Sequence, residues 1–148
     1  MTRRRIAAGL LAGACAASAA WAQGSADNTP DCPANVQQLQ MQTLYGTWEA
    51  RIDGQAGIAI LVLERHPDYE GVRGQLTRPG QPPAQVAGDI DPEGLLALDE
   101  SQDGKSISAN WSGELLAGSC GRAFKGTWRR GSDDSEHAFT LHKSGAWK

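Results

Sequence analysis

The sequence predicts an all-β fold: about eight antiparallel strands winding up and down into a closed barrel behind a short N-terminal helix. Three observations lead there. From residue 44 to residue 141, apolar side chains recur at every second position in short runs. Turn chemistry such as Asp53-Gly54, Pro79-Gly80 and Asp103-Gly104 separates the runs at nearly every step. A meander of that many strands leaves two open edges unless its first and last strands meet, and closure buries both. A two-sheet β-sandwich is the alternative.

The chain opens with Arg3, Arg4 and Arg5, followed over residues 6–20 by an uncharged run of mainly Ala, Leu and Gly. Small residues then flank a cut at Ala20-Trp21-Ala22, the three-part layout of a secretory signal, so residues 1–22 are expected to be removed and Gln23 to begin the mature chain. The apolar run is too short for a stable membrane anchor. Cys15, in Leu11-Ala12-Gly13-Ala14-Cys15, offers an alternative as a lipid-attachment cysteine and the only route to the membrane, but Ala12 stands where that motif wants a large aliphatic residue. The expected location is therefore periplasmic or secreted, the alternative a lipid anchor at Cys15.

Residues 23–31 are small and polar and read as a flexible lead-in. Asp31 suits a helix cap and Pro33 a first turn, and Val36, Leu39 and Thr43 or Leu44 follow at helical spacing, predicting a helix over 33–42. From there the period is two. Trp48, Ala50 and Ile52 form one inward face, and 58–64 reads as a well-buried strand. Val72, Gly74 and Leu76 come next, then the Pro79-Gly80-Gln81-Pro82-Pro83 loop, then strands over 86–90 and 95–100. Ile107, Ala109 and Trp111, then Phe124, Gly126 and Trp128, then Phe139 and Leu141 supply the last inward faces. Gly74, Gly88 and Gly126 mark places where a barrel strand bends sharply. The domain is expected over 32–143, with 144–148, including Trp147, as a C-terminal tail.

Removing the first 22 residues takes three of the 14 basic residues and none of the 17 acidic ones, leaving 126 residues with a formal charge of −6. That surface repels phosphate backbones, which excludes nucleic acid as a natural partner. The length suits a single hydrophobic core. Of the three cysteines only Cys32 and Cys120 stay in the mature chain, so an oxidising compartment predicts one disulfide between them, worth about 4–5 kcal/mol in chain entropy.

At Gly46-Thr47-Trp48, a Gly-x-Trp opens the first strand directly after the predicted helix. This resembles the start of lipocalins and of the related avidin-type barrels, the calycin-type folds, in which the tryptophan closes one end of the barrel. The later tryptophan-bearing strands, 107–111 and 124–128, are similar to the aromatic strands of avidin-like chains. The resemblance spans about residues 33–142 and implies an up-and-down barrel. The Thr-Asp-Tyr motif of lipocalins is absent, and Glu49, Ala50 and Arg51 follow Trp48 where avidins carry an Asn and Ser pair, so biotin binding is not implied.

Catalytic signatures are missing: there is no Gly-x-Ser-x-Gly elbow, no His-Glu-x-x-His pair and no phosphate-cradling glycine loop, and the chain reads as a non-enzyme with no cofactor. Gly118-Ser119-Cys120-Gly121 reads as a turn holding the disulfide. Of the histidines, His137 and His142 are five apart on one strand and face opposite sides, and His66 stands alone, so no metal site is expected. Asp133, Asp134 and Glu136 beside Ser132 and Ser135 read as a solvated turn in preference to a weak calcium loop. Asn110-Trp111-Ser112 matches a glycosylation acceptor by chance, and an inward Trp111 turns Asn110 outward.

The aromatic residues are the candidates for function. Trp48, Trp111, Phe124, Trp128 and Phe139 all fall on inward faces, where they either fill the barrel or line a pocket at its mouth. The reading preferred is a barrel that binds a small, partly apolar ligand on these residues. The alternative is an envelope protein–protein interaction module, such as a periplasmic protease inhibitor or accessory subunit, that uses the Pro-rich loop 79–83.

Overall fold

In the computed structural model, which describes residue 32 and residues 39–145, the chain is an eight-stranded antiparallel barrel closed in strict sequence order. Its strands are β1 (Gly46–Ile52), β2 (Ala59–Arg65), β3 (Val72–Thr77), β4 (Ala84–Ile90), β5 (Leu95–Ser101), β6 (Ala109–Leu115), β7 (Ala123–Arg130) and β8 (Glu136–Lys143). Closure comes from β1 against β8, with Ala50 opposite Leu141 and Ile52 opposite Phe139. The predicted signal peptide, the lead-in and residues 33–38 of the predicted helix lie outside the described residues, as do Cys15 and Trp147.

What precedes β1 differs from the expected helix reaching residue 42. Gln40 is extended, and Met41–Leu44 form a single 3-10 turn closed by Thr43 N–H to the Gln40 carbonyl at 2.8 Å. The turn drops Leu44 into the barrel end and sends Tyr45 straight into β1, so residues 39–42 do not carry an α-helix into the barrel.

Period-two burial runs through every strand, and the inward residues make one continuous core from Leu44 to Leu141. Each fully buried Leu or Phe in it contributes about 1.5–3 kcal/mol. Two expectations need correction. β2 is not buried on both faces: Leu61 and Leu63 point inward, whereas Ile60 and Val62 are 38% and 45% exposed, because each barrel strand has only one inner face. Ile107 is 57% exposed and precedes β6, whose inward face begins at Ala109.

Gly74, Gly88 and Gly126 sit where the barrel wall folds onto itself. A Cβ at these positions would lie 1.8–2.0 Å from the carbonyl oxygen of Val62, Ala97 or Ser112 on the neighbouring strand, so the strands approach more closely than any side chain permits. Gly113 makes room of another kind, for the ring of Phe139.

The two ends of the barrel are built differently. At one end the 3-10 turn, Trp48 and Phe124 form a plug: the Trp48 indole donates to the Leu44 carbonyl at 2.8 Å and meets Phe124 edge-on at 5.6 Å. Lys143 lies 5.3 Å from the centre of the Trp48 ring and donates to the Thr43 carbonyl at 2.5 Å. The Cys32–Cys120 disulfide, with Cα atoms 4.6 Å apart, and the bonds from Ser144 to Thr47 tie both chain ends to this side. Cys120 occupies the predicted turn with φ of 54°. The other end, bounded by the loops after β1, β3, β5 and β7, is open.

Candidate functional site

The inward alternation of β3 runs Val72, Gly74, Leu76 and then Arg78; that of β5 runs Leu96, Leu98 and then Glu100. One step beyond the apolar residues, each strand thus places a charge on the barrel's inner face at the open end. Arg78 is 6% exposed and Glu100 1%. They meet in a two-pronged ion pair, Nη1 to Oε1 at 2.6 Å and Nη2 to Oε2 at 2.8 Å.

Glu100 collects three further donors. Trp111 and Trp128 are direct partners across β6 and β7, and both indole N–H groups donate to Glu100 Oε2, at 3.2 and 3.1 Å. Gln102 donates to Oε1 at 3.1 Å. Burial by itself would raise the Glu100 pKa, but the hydrogen bonds and charge of Arg78, helped by the two indoles, outweigh it and hold the carboxyl below its ordinary value. Arg78 also lies against Trp128, its guanidinium carbon 5.5 Å from the ring centre. Its Nε is buried and has no acceptor.

Above this network opens a cavity of about 740 Å³. Arg78, Glu100 and Trp128 form its base. The walls come from all four loops: Gln55 and Ala56 after β1, Pro79 and Gln81 after β3, Gln102 and Ile107 after β5, Arg130 and Ser132 after β7. Arg130 stacks near Trp128 at 5.4 Å and pairs with Asp133 at 3.3 Å, so the cation at the rim is already matched. A wider hollow of about 970 Å³ lies at the closed end between the 3-10 turn and the β2–β3 and β4–β5 loops, lined by residues such as Tyr45, Arg65 and Asp89, and among the described residues no buried ion pair borders it.

The five aromatic candidates fall at three depths. Trp48 and Phe124 belong to the plug at the closed end, with exposures of 1% and 0%. Trp111 and Phe139 pack edge-on at 4.9 Å inside the barrel. Trp128 borders the cavity. The structure therefore does not gather all five around one space.

The other singled-out residues are accounted for locally. His66 stacks on Tyr69 with ring centres 3.6 Å apart, His137 lies 5.7 Å from Trp128, and His142 is exposed on the outer face. Among the described residues no group of three or more His, Cys, Asp or Glu could hold a metal ion. Asp133 accepts from the backbone and hydroxyl of Ser135, at 3.1 and 2.7 Å, and Asp134 pairs with Arg129 at 2.8 Å, which makes this segment a self-satisfied turn. Asn110 points outward and donates to Asp99 at 2.6 Å.

Arg78 and Glu100 were not among the sequence-derived candidates, although a signal existed. Both continue an apolar every-second-residue pattern by one step, and their opposite charges on inward-facing positions at the same end foretell a pair. No family model matches the chain, and no curated protein matches it either.

Proposed function

We propose that this protein is an exported barrel that binds a small, partly apolar ligand in the mouth formed by the loops after β1, β3, β5 and β7. The observation that carries the reading is the cavity of about 740 Å³ seated on the Arg78–Glu100–Trp128 base, a volume within the range of small-molecule sites. In this reading Trp128 is the contact residue. Trp111 holds Glu100 from below, Phe139 packs on Trp111, and Trp48 with Phe124 seals the far end. The Pro-rich segment is a wall of the mouth, since Pro79 packs close against Gly57 of the neighbouring loop. Export is supported by the disulfide, which persists in oxidising compartments.

The test uses N-phenyl-1-naphthylamine, an uncharged probe that brightens in apolar surroundings. Ser132 is exposed at the rim, so Ser132→Trp narrows the mouth without touching the core. The expected result is a saturable rise in probe emission with the native protein and at least about a tenfold weaker association with the variant. Equal binding by both proteins places the probe elsewhere and removes the reading.

A further inference from the structure

We infer that the mouth accepts an uncharged, hydroxyl-rich ligand, a small neutral saccharide, in preference to a carboxylate or an ammonium compound. This inference rests on the mouth being a binding site and specifies what that site takes.

The first reason is charge. Within the base, Arg78 is matched by Glu100 through two hydrogen bonds, and every donor converging on Glu100 is already accounted for. At the rim Arg130 is matched by Asp133. Each charged lining residue is therefore paired within the protein, Arg78 with Glu100 and Arg130 with Asp133. An ionic ligand would compete with these existing pairs for a counter-charge, whereas a neutral one leaves both intact.

The second reason is the supply of unused neutral hydrogen-bonding groups. The side-chain amides of Gln55 and Gln81 and the hydroxyl of Ser132 line the cavity from three different loops, and none makes a side-chain hydrogen bond among the described residues. A primary amide offers donors and an acceptor together, which matches a hydroxyl that is itself both.

The third reason is apolar surface beside these polar groups: Pro79 and Ile107 border the cavity and are exposed, Ile107 by 57%, and offer contact for the C–H faces of a sugar ring.

The experiment is titration of the native protein, followed by calorimetry and by NMR of the glutamine side-chain amides, with four probes. N-acetylglucosamine and its β1,4-linked disaccharide are the neutral saccharides, glucuronate is the anionic counterpart, and N-phenyl-1-naphthylamine is the apolar control. The expected result is millimolar or tighter binding of a neutral saccharide, about 1 mM corresponding to roughly 4 kcal/mol. Glucuronate should bind at least about tenfold more weakly, and Gln55→Ala or Gln81→Ala should weaken the saccharide by about tenfold. Glucuronate binding as well as the neutral sugars overturns the inference, and so does saccharide binding indifferent to both glutamines. If the naphthylamine shifts mouth resonances and no saccharide does, the mouth remains a site and the saccharide reading falls. If no probe shifts them, both fall.

Discussion

The buried Arg78–Glu100 pair sets a sharp expectation for stability. Replacing Arg78 with Met leaves the Glu100 carboxylate 1% exposed, with two indoles and Gln102 as its remaining partners and no cation. Breaking such a pair from one side costs about 3–5 kcal/mol, because the remaining charge stays out of water. Glu100→Gln strands the guanidinium in the same way and should cost about as much. The double variant Arg78→Met/Glu100→Gln removes both charges and should recover most of the loss, giving a large favourable coupling in the double-mutant cycle. Urea unfolding followed by near-ultraviolet circular dichroism reads this directly: with a slope of about 2 kcal/mol per molar, each single variant should move the midpoint down by roughly 1.5–2.5 M.

Acidity supplies an independent check on the same pair. Because the folded-state pKa of Glu100 is depressed, its contribution is present above the ordinary carboxylate pKa and fades as the pH falls from there through the folded value. The native protein should therefore lose urea resistance on acidification below about pH 4.3, the unfolded value, and the double variant should lose less over the same interval. Single-variant losses below about 1 kcal/mol, the size seen for exposed ion pairs, would refute the reasoning. So would identical acid sensitivity in the native protein and the double variant.

Three other outcomes follow from the geometry. Cys120→Ser should lower stability by about 2–5 kcal/mol, since the bridge closes a separation of 88 residues, and a matched loss on adding reductant to the native protein would show the cause. Gly126→Ala, whose Cβ would lie 2.0 Å from the Ser112 carbonyl oxygen, should abolish soluble folding or cost well over 3 kcal/mol, whereas Gly80→Ala, with φ of +71° in open space, should cost only about 1 kcal/mol in thermal melts. Intact-mass analysis of the exported protein should find Gln23 as its first residue; a species beginning at a lipid-modified Cys15 would contradict the predicted cut.

The fold was legible because the barrel imposes one rule on every strand. Alternation at Trp48-Ala50-Ile52, Val72-Gly74-Leu76 and Phe124-Gly126-Trp128 reads the inner face directly, and the paired cysteines needed only a compartment to be joined. The site was harder to see. Aromatic residues on inward positions look alike in a sequence, whereas depth along the barrel axis separates Trp48 in the plug from Trp128 at the mouth. Depth depends on strand stagger, which turn residues constrain only loosely. Arg78 and Glu100 were obscured because charged residues at strand ends usually mark the beginning of a loop. The misreading of 58–64 has a similar origin: the consecutive apolar residues Ile60 to Leu63 conceal an ordinary two-faced strand whose outer face is also apolar.

Pairing of β1 with β8 brings Trp48 opposite Lys143 and lets Ser144 bond to Thr47, so the chain enters and leaves the barrel side by side at the end away from the mouth. A tether joined at residue 39 or residue 145 therefore departs from the sealed end. The same adjacency suits circular permutation of the barrel: a short linker can join residue 145 to residue 39 there, and new ends can be cut in an exposed turn elsewhere. A form immobilised through residue 39 or residue 145 would present its four mouth loops outward to whatever diffuses past.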